Sequence, residues 1–448
     1  GVSAVAKLLL AEGVEVSGSD ANRSAVTEEL EARGVRVSLG HDAANLPEGV
    51  GLVVRTSAVP DDNPELEAAR ERGIPDLTYF EFLGRWSRGR RTVAVAGTNG
   101  KSTTTAMLGM MLAEAGLDPT VIVGSKVPAF PDGNLRLGRG ELFVVEACEH
   151  EAHLLEFAPQ SAVVTNIEED HLDFYHDREH IMTTFRQFVS QVEPDGFVVL
   201  NADDESGSDA LEPAARTVRF GSGSRGNPRW KILEVGEGVQ RFSLQRDGSA
   251  LGEFDLHVPG RFNVENAVAA ATVALELGVP PESIRAALDS YRGIWRRFEI
   301  VGEPYGAPVI SDYGHHPTAV AGTLQAVREF YPNKKIVLVF QPHHRNRTRN
   351  LFDRFVPAFD GADAVILPEI YDVTGREDDA DGDISSRDLV HAVRQRDLAR
   401  EVRRPVRYAE SLDAAFALIH SVLEPQSVCL VMGAGDVDEL ARRLVGTE

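Results

Sequence analysis

The sequence predicts an α/β protein of three domains: a Rossmann-like first domain, a central α/β domain of the P-loop ATPase type, and a Rossmann-like third domain. Three observations carry this. The chain has 448 residues, about three domains at roughly 150 residues each. Short apolar runs alternate with helix-period segments along it, the pattern of layered α/β folds. A strand, a glycine turn and a helix follow one another in VAVAGTNGKSTTT, Val93 to Thr105.

In chain order, residues 1–20 read as an amphipathic helix and a short strand ending in Ser19 and Asp20. A helix opening on Gly1 fits either the last glycine of a nucleotide-binding turn or an ordinary helix start. VRVSLGH and GLVVRTSAVP continue a small doubly wound sheet, and the basic, turn-like WSRGRR closes a first domain at 1–89. The second, 90–297, alternates strands LFVVEAC, SAVVTNI and GFVVLNAD with helices such as STTTAMLGMMLAEAG, with short β segments near 217–259. The third, 298–448, places PVISDY, KKIVLVFQ, AVILPEIY and SVCLVMGAG between helices. DDADGD, Asp378 to Asp383, is a short acidic loop.

Composition narrows the function. With 46 Lys and Arg against 69 Asp and Glu, the formal charge is −23, a field that repels nucleic acid and anionic membrane unless a local basic pocket overrides it. No apolar run approaches the roughly 20 residues of a membrane span, and no secretory signal opens the sequence. Two cysteines, Cys148 and Cys429, predict packed thiols and a reducing cytoplasm, not a disulfide framework.

The chemistry-bearing residues cluster at strand ends. In GTNGKST, Gly97, Thr98, Asn99, Gly100, Lys101, Ser102 and Thr103 have the make-up of a phosphate cradle: glycines admit backbone N–H groups to an anion, Lys101 adds charge, and a Ser102 hydroxyl can ligate magnesium. The usual P-loop carries glycine where Val95 stands. Glu146 closes an apolar strand and is the expected Mg²⁺ ligand, with Glu149, Glu151 and His153 read as a solvated helix face. TNIEEDHLDFY offers a second metal-binding edge around Asn166, Glu168, Asp170 and His171. Asn263 and Asn266 head an alanine-rich helix, where Asn often caps. Arg296 and Arg297, then Asp312, Tyr313, His315 and His316, then His343, His344, Arg345, Arg347 and Arg349 supply the basic pocket, suited to small anions.

The ordered set SGSD, TSAVPDDNPE, AGTNGKSTTT, TNIEEDHLDFY, GRFNVENA, RRFE, DYGHHPT and QPHHRNRTR resembles the Mur ligase family over almost the whole chain, and most closely its branch that begins the peptidoglycan stem peptide. The resemblance implies a UDP-sugar domain, an ATPase domain and a C-terminal domain that closes to bring an amino acid. It implies ATP-dependent amide formation on the muramoyl carboxylate of UDP-N-acetylmuramate through an acyl phosphate. By motif position, Lys101 would contact the β/γ-phosphates, Ser102 and Glu146 one Mg²⁺, and His171 a second metal. Asn263 and Asn266 would meet adenine, Arg297 the phosphates, and Asp312 the ribose. Tyr313 and His315 would surround the incoming amino acid and reaction centre, Arg347 would anchor its carboxylate, and Asp20, His41 and Ser57 would face the UDP moiety. Lys101, His171, Arg297 and His315 are thus the expected catalytic set.

Departures from that pattern are Asn99 in place of histidine, Cys148, His150 and Glu151 in the acidic motif, and His344 where the first arginine after QPH is expected. Either Arg345 substitutes for that arginine, or the amino acid differs from L-alanine, for example glycine or L-serine. A tripeptide-recycling muramate ligase and a catalytically idle binding subunit are the competing readings.

Overall fold

The structure is a computed structural model and describes residues 1–170, 174–204, 207, 209–236, 238–371 and 384–446. The chain divides into two compact units: Gly1–Trp230 with Leu244–Gly252 and Asn266–Ala287, and Lys231–Ser243 with Glu253–Glu265 and Leu288–Glu448. The acidic loop expected at Asp378 to Asp383 lies outside the described residues.

The first unit is built on a seven-stranded sheet. Its order is Arg216–Phe220, Phe197–Asn201, Ser161–Val164, Arg91–Ala96, Leu142–Glu146, Thr120–Ile122 and Leu135–Arg136. All neighbours run parallel except the last pair. The central strands are continuous Val and Ala runs because both faces are covered: Ala94, Ala96, Val145, Ala162 and Val198 share one core with Phe157, Phe185 and Phe188. Parallel strands put all their carboxyl ends on one edge, and that edge is where ligands sit in open α/β sheets.

The N-terminal part of this unit departs from a single small sheet. Ser17–Asp20 pairs with Arg36–Leu39, and Val53–Arg55 with Asp76–Thr78, as two separate parallel pairs. Strands of three or four residues supply few ladder bonds; beside them Ala4, Val5 and Leu8 of helix Val2–Ala11 enter the same core as Leu77, Phe82 and Leu83. Helix Tyr79–Ser87 then lies hard against the segment after Glu146. A Cβ on Gly84 would stand 2.3 Å from the Glu156 carbonyl oxygen, so only glycine permits that approach.

Between residues 229 and 256, Arg229–Gly236, Val239–Arg246 and Ser249–Leu256 form a three-stranded sheet in that order, as the turn-rich composition predicts. The second unit's main sheet runs Glu299–Gly302, Val309–Asp312, Ser427–Met432, Lys335–Phe340, Ala364–Pro368 and Val406–Ala409, antiparallel only at its first pair. Cores lie on both of its faces, one around Leu338, Phe340 and Phe355, the other around Val339, Cys429 and Leu440.

Candidate active site

The glycine turn leaves the central strand Arg91–Ala96 and enters helix Lys101–Glu114 through Gly97 (φ 129°) and Gly100 (φ 85°). Both angles lie in the region that favours glycine. A neighbouring strand end braces the turn: Thr98 N–H donates to the Asn166 carbonyl (2.9 Å), Asn99 N–H to Asn166 Oδ1 (2.9 Å), and the Thr165 hydroxyl to the Asn99 carbonyl (2.6 Å). Asn166, expected at a metal-binding edge, is therefore a clamp on the turn.

Lys101 is held in a cage. Its ammonium donates to the carbonyls of Gly97 (2.7 Å) and Thr98 (3.0 Å) and pairs with Glu149 (2.7 Å to Oε2), which uses its three protons. Burial pushes the Lys101 pKa down, but the Glu149 charge and smaller contributions from Cys148 and Glu146 outweigh it, so the net shift is upward. Glu149 is 3% exposed, which corrects its reading as part of a solvated face. The segment that follows it, His150–Glu156, is a 3₁₀ stretch broken by two left-handed residues, not a regular helix face. Cys148 is pushed up to about 12, chiefly by burial and then by Glu149, so it is a protonated thiol at neutral pH, as a packed cysteine should be.

The Ser102 hydroxyl donates to Glu146 Oε1 (3.0 Å), and the other carboxylate oxygen accepts from Gly124 N–H (2.7 Å). A hydroxyl and a carboxylate at the strand's carboxyl end are hard oxygen donors of the type Mg²⁺ takes beside phosphates. Thr103 is buried on the same helix. Tyr79 was not anticipated: burial raises its phenol pKa, and the Glu146 charge adds to the rise. Asn266 is more than a cap. It stands in the second turn of helix Arg261–Glu276, its Oδ1 accepts from Thr104 (3.4 Å), and a Cβ on Gly100 would lie 2.1 Å from that same oxygen. Asn263 turns back to the Pro259 carbonyl (2.7 Å). His171 lies outside the described residues.

In the N-terminal part, Asp20 and Ser57 are exposed, and His41 Nδ1 meets the Ser19 hydroxyl (3.1 Å). Glu65 organises this group, accepting from Ser19 (2.9 Å) and Asn45 (2.9 Å). Sequence reasoning had no signal for it beyond one acidic residue at a helix start.

In the second unit, Arg296 and Arg297 separate into different roles. Arg296 is 8% exposed, donates to the Gly433 and Gly435 carbonyls, and burial lowers its pKa. Arg297 is exposed and lies over the Tyr313 ring at 5.0 Å. Asp312 accepts from the N–H groups of Phe298 (2.9 Å) and Gly314 (2.7 Å), and burial raises its pKa against the pull of Arg297. The His315 ring meets Tyr313 edge-on at 5.4 Å and His343 at 6.0 Å, and His343 lies 3.5 Å from the Arg347 guanidinium. His344 adopts φ 66° at the head of helix Arg345–Asn350. Arg345 donates to the Ile384 carbonyl, an engagement that counts against its standing in for the missing arginine.

Known proteins align with this architecture. Residues 1–91 match the model of the Mur ligase family catalytic domain, 95–274 the Mur ligase middle domain, and 296–435 the Mur ligase glutamate ligase domain. The chain is similar to the UDP-N-acetylmuramate–L-alanine ligase of Clostridium novyi, at 39% identity over 97% of this chain and 93% of the relative. It is similar to the ligase of that name from Caldanaerobacter subterraneus subsp. tengcongensis, at 37% identity over 99% and 95%. The crystal structure of UDP-N-acetylmuramate-alanine ligase from Thermotoga maritima superposes with a TM-score of 0.82 at 29% identity, covering 99% of this chain and 95% of that one. Among the described residues no helix is long and apolar enough to cross a membrane. With three successive domain models matched in order and relatives aligned nearly end to end, this chain belongs to the Mur ligase family.

Proposed function

We propose that this chain is an ATP-dependent ligase that joins L-alanine to the muramoyl carboxylate of UDP-N-acetylmuramate, a cytoplasmic step in peptidoglycan precursor synthesis. The observation that carries the reading is the turn at Gly97 to Ser102, where a caged ammonium and a hydroxyl–carboxylate pair stand together at the sheet's carboxyl edge. The muramoyl carboxylate attacks the γ-phosphate and ADP leaves. The amine of the amino acid then attacks the acyl phosphate carbon, and phosphate departs. Such chemistry is mostly positioning and charge neutralisation.

Each residue then has a task. The backbone N–H groups of the turn and Lys101 receive the β/γ-phosphates, for which Lys101 exchanges part of its contact with Glu149. Ser102 and Glu146 hold Mg²⁺, with His171 as ligand of a second ion; bound there, Mg²⁺ supplies neutralisation of phosphate charge. Asn263 and Asn266 serve the adenine, Arg297 the phosphates and Asp312 the ribose. Tyr313 and His315 shape the amino-acid and reaction site, and Arg347, with His344 and Arg345 beside it in sequence, serves the carboxylate. Asp20, His41 and Ser57 serve the UDP group. The working parts are 1–89, 90–297 and 298–448.

The test is ATP-dependent product mass and phosphate release with UDP-N-acetylmuramate and a panel of L-alanine, glycine and L-serine. The expected result is the L-alanyl adduct, absent in Lys101→Ala. Preference for glycine or L-serine would overturn the substrate assignment, and no adduct with any of them would favour an idle binding subunit.

A further inference from the structure

Beyond Glu149 the chain passes through two consecutive left-handed residues, Glu151 (φ 51°) and Ala152 (φ 57°), an uncommon backbone for non-glycine residues. This fold-back gathers three side chains to which the ligase reaction assigns no task. One donor atom each from His150, Glu151 and His153 lie within 4.8 Å of one another. His153 Nε2 and a Glu151 carboxylate oxygen are 3.3 Å apart, and the His153 ring stacks on Phe80 at 4.3 Å, which holds the imidazole in place.

We propose that His150, Glu151 and His153 bind a zinc-class divalent ion, at a site distinct from the oxygen donors Ser102 and Glu146. Two imidazoles and a carboxylate select borderline ions such as Zn²⁺ or Co²⁺, whereas Mg²⁺ prefers all-oxygen sets and keeps its waters. In a tetrahedral site with Zn–N bonds of about 2.0–2.1 Å, ligand atoms stand about 3.3 Å apart. The His153–Glu151 pair already has that spacing, and an inward movement of His150 on the order of 1.5 Å completes the set. Three protein ligands leave the fourth position to water. The exposed Glu151 gives the ion a way in. The inference stands whether or not the ligase reading does, because it uses neither nucleotide nor sugar.

The test titrates the full chain, stripped with EDTA and free of nucleotide, with Co²⁺ and then Zn²⁺ in the presence of excess Mg²⁺. The expected result is one equivalent of Co²⁺ with low-coordinate visible absorption, displaced by Zn²⁺ and not by Mg²⁺, and retained in Glu146→Gln. His150→Ala and His153→Ala should each weaken Zn²⁺ at least about 100-fold, the upper end of what losing a ligand's supporting hydrogen bond costs. His153→Ala also removes the stack on Phe80, so the half-buried His150→Ala, with unchanged circular dichroism, decides the matter if the other variant misfolds. No Co²⁺ absorption, displacement by Mg²⁺, or unchanged affinity in folded His150→Ala would each overturn the proposal.

Discussion

Replacing Lys101 with methionine keeps most of the side chain's volume and removes its charge, which isolates the worth of the pair with Glu149. The two side chains are 13% and 4% exposed, with the ammonium 2.7 Å from Oε2 and 2.9 Å from Oε1. Removing one partner of a buried ion pair typically costs about 3–5 kcal/mol, because the remaining charge stays desolvated. Glu149→Gln should cost less, about 1.5–3 kcal/mol, since Lys101 keeps the Gly97 and Thr98 carbonyls as acceptors. The double variant, with neither charge left, should lie near the milder single change, giving a coupling of at least about 2 kcal/mol. Urea unfolding of nucleotide-free protein in EDTA measures this, scored on the transition that an ATP analogue shifts. At an m value of about 3 kcal/mol/M, Lys101→Met should lower the midpoint by about 1–2 M. Additivity of the two single variants within about 0.5 kcal/mol would show that the pair carries no structural weight.

Alkaline stability follows from the same pair. The folded Lys101 pKa lies above its ordinary 10.5, so its contribution is fully present below 10.5 and is lost as pH rises through the folded value. Urea midpoints compared above and below 10.5 should fall less in Glu149→Gln than in the parent, and equal falls would contradict the assigned cause. Gly97→Ala would place a Cβ 2.1 Å from Thr165 Oγ1 and 3.0 Å from two backbone atoms, at φ 129°. Strain and overpacking together cost about 2–5 kcal/mol, so calorimetry should find ATP-analogue binding weakened at least about 30-fold. In the second unit Arg404 and Asp397 are 5% and 6% exposed, and Arg404 also donates to the Phe359 and Ala362 carbonyls. Arg404→Met should cost about 3–5 kcal/mol in scanning calorimetry, and an unchanged melting temperature would refute that weight.

Local chemistry was legible in the sequence and distant partnership was not. Strand Arg91–Ala96, the turn and helix Lys101–Glu114 could be read because apolar run, glycines and helical period occur in one stretch. Glu146 was legible for the same reason, as a carboxylate closing an apolar strand. Glu149 was not, since a charged residue beside other charges reads as solvated until a lysine 48 residues away is folded against it. Asn166 looked like a metal-side group because its neighbours are acidic, yet its partner is the backbone of Asn99. Arg296 and Arg297 are adjacent and identical in type, and only the left-handed backbone at Arg296 (φ 55°) and the carbonyls of Gly433 and Gly435 separate a structural arginine from an exposed one.

The glycine turn at Gly97 to Ser102 is half of a two-piece part. Its shape depends on Thr165 and Asn166, 66 and 67 residues further along the chain. Grafted alone onto a foreign sheet, GTNGKST would arrive without its buttress and without the hydrogen bonds that fix its shape. An engineer seeking to transplant this turn must move both stretches together, at the spacing of adjacent parallel strands.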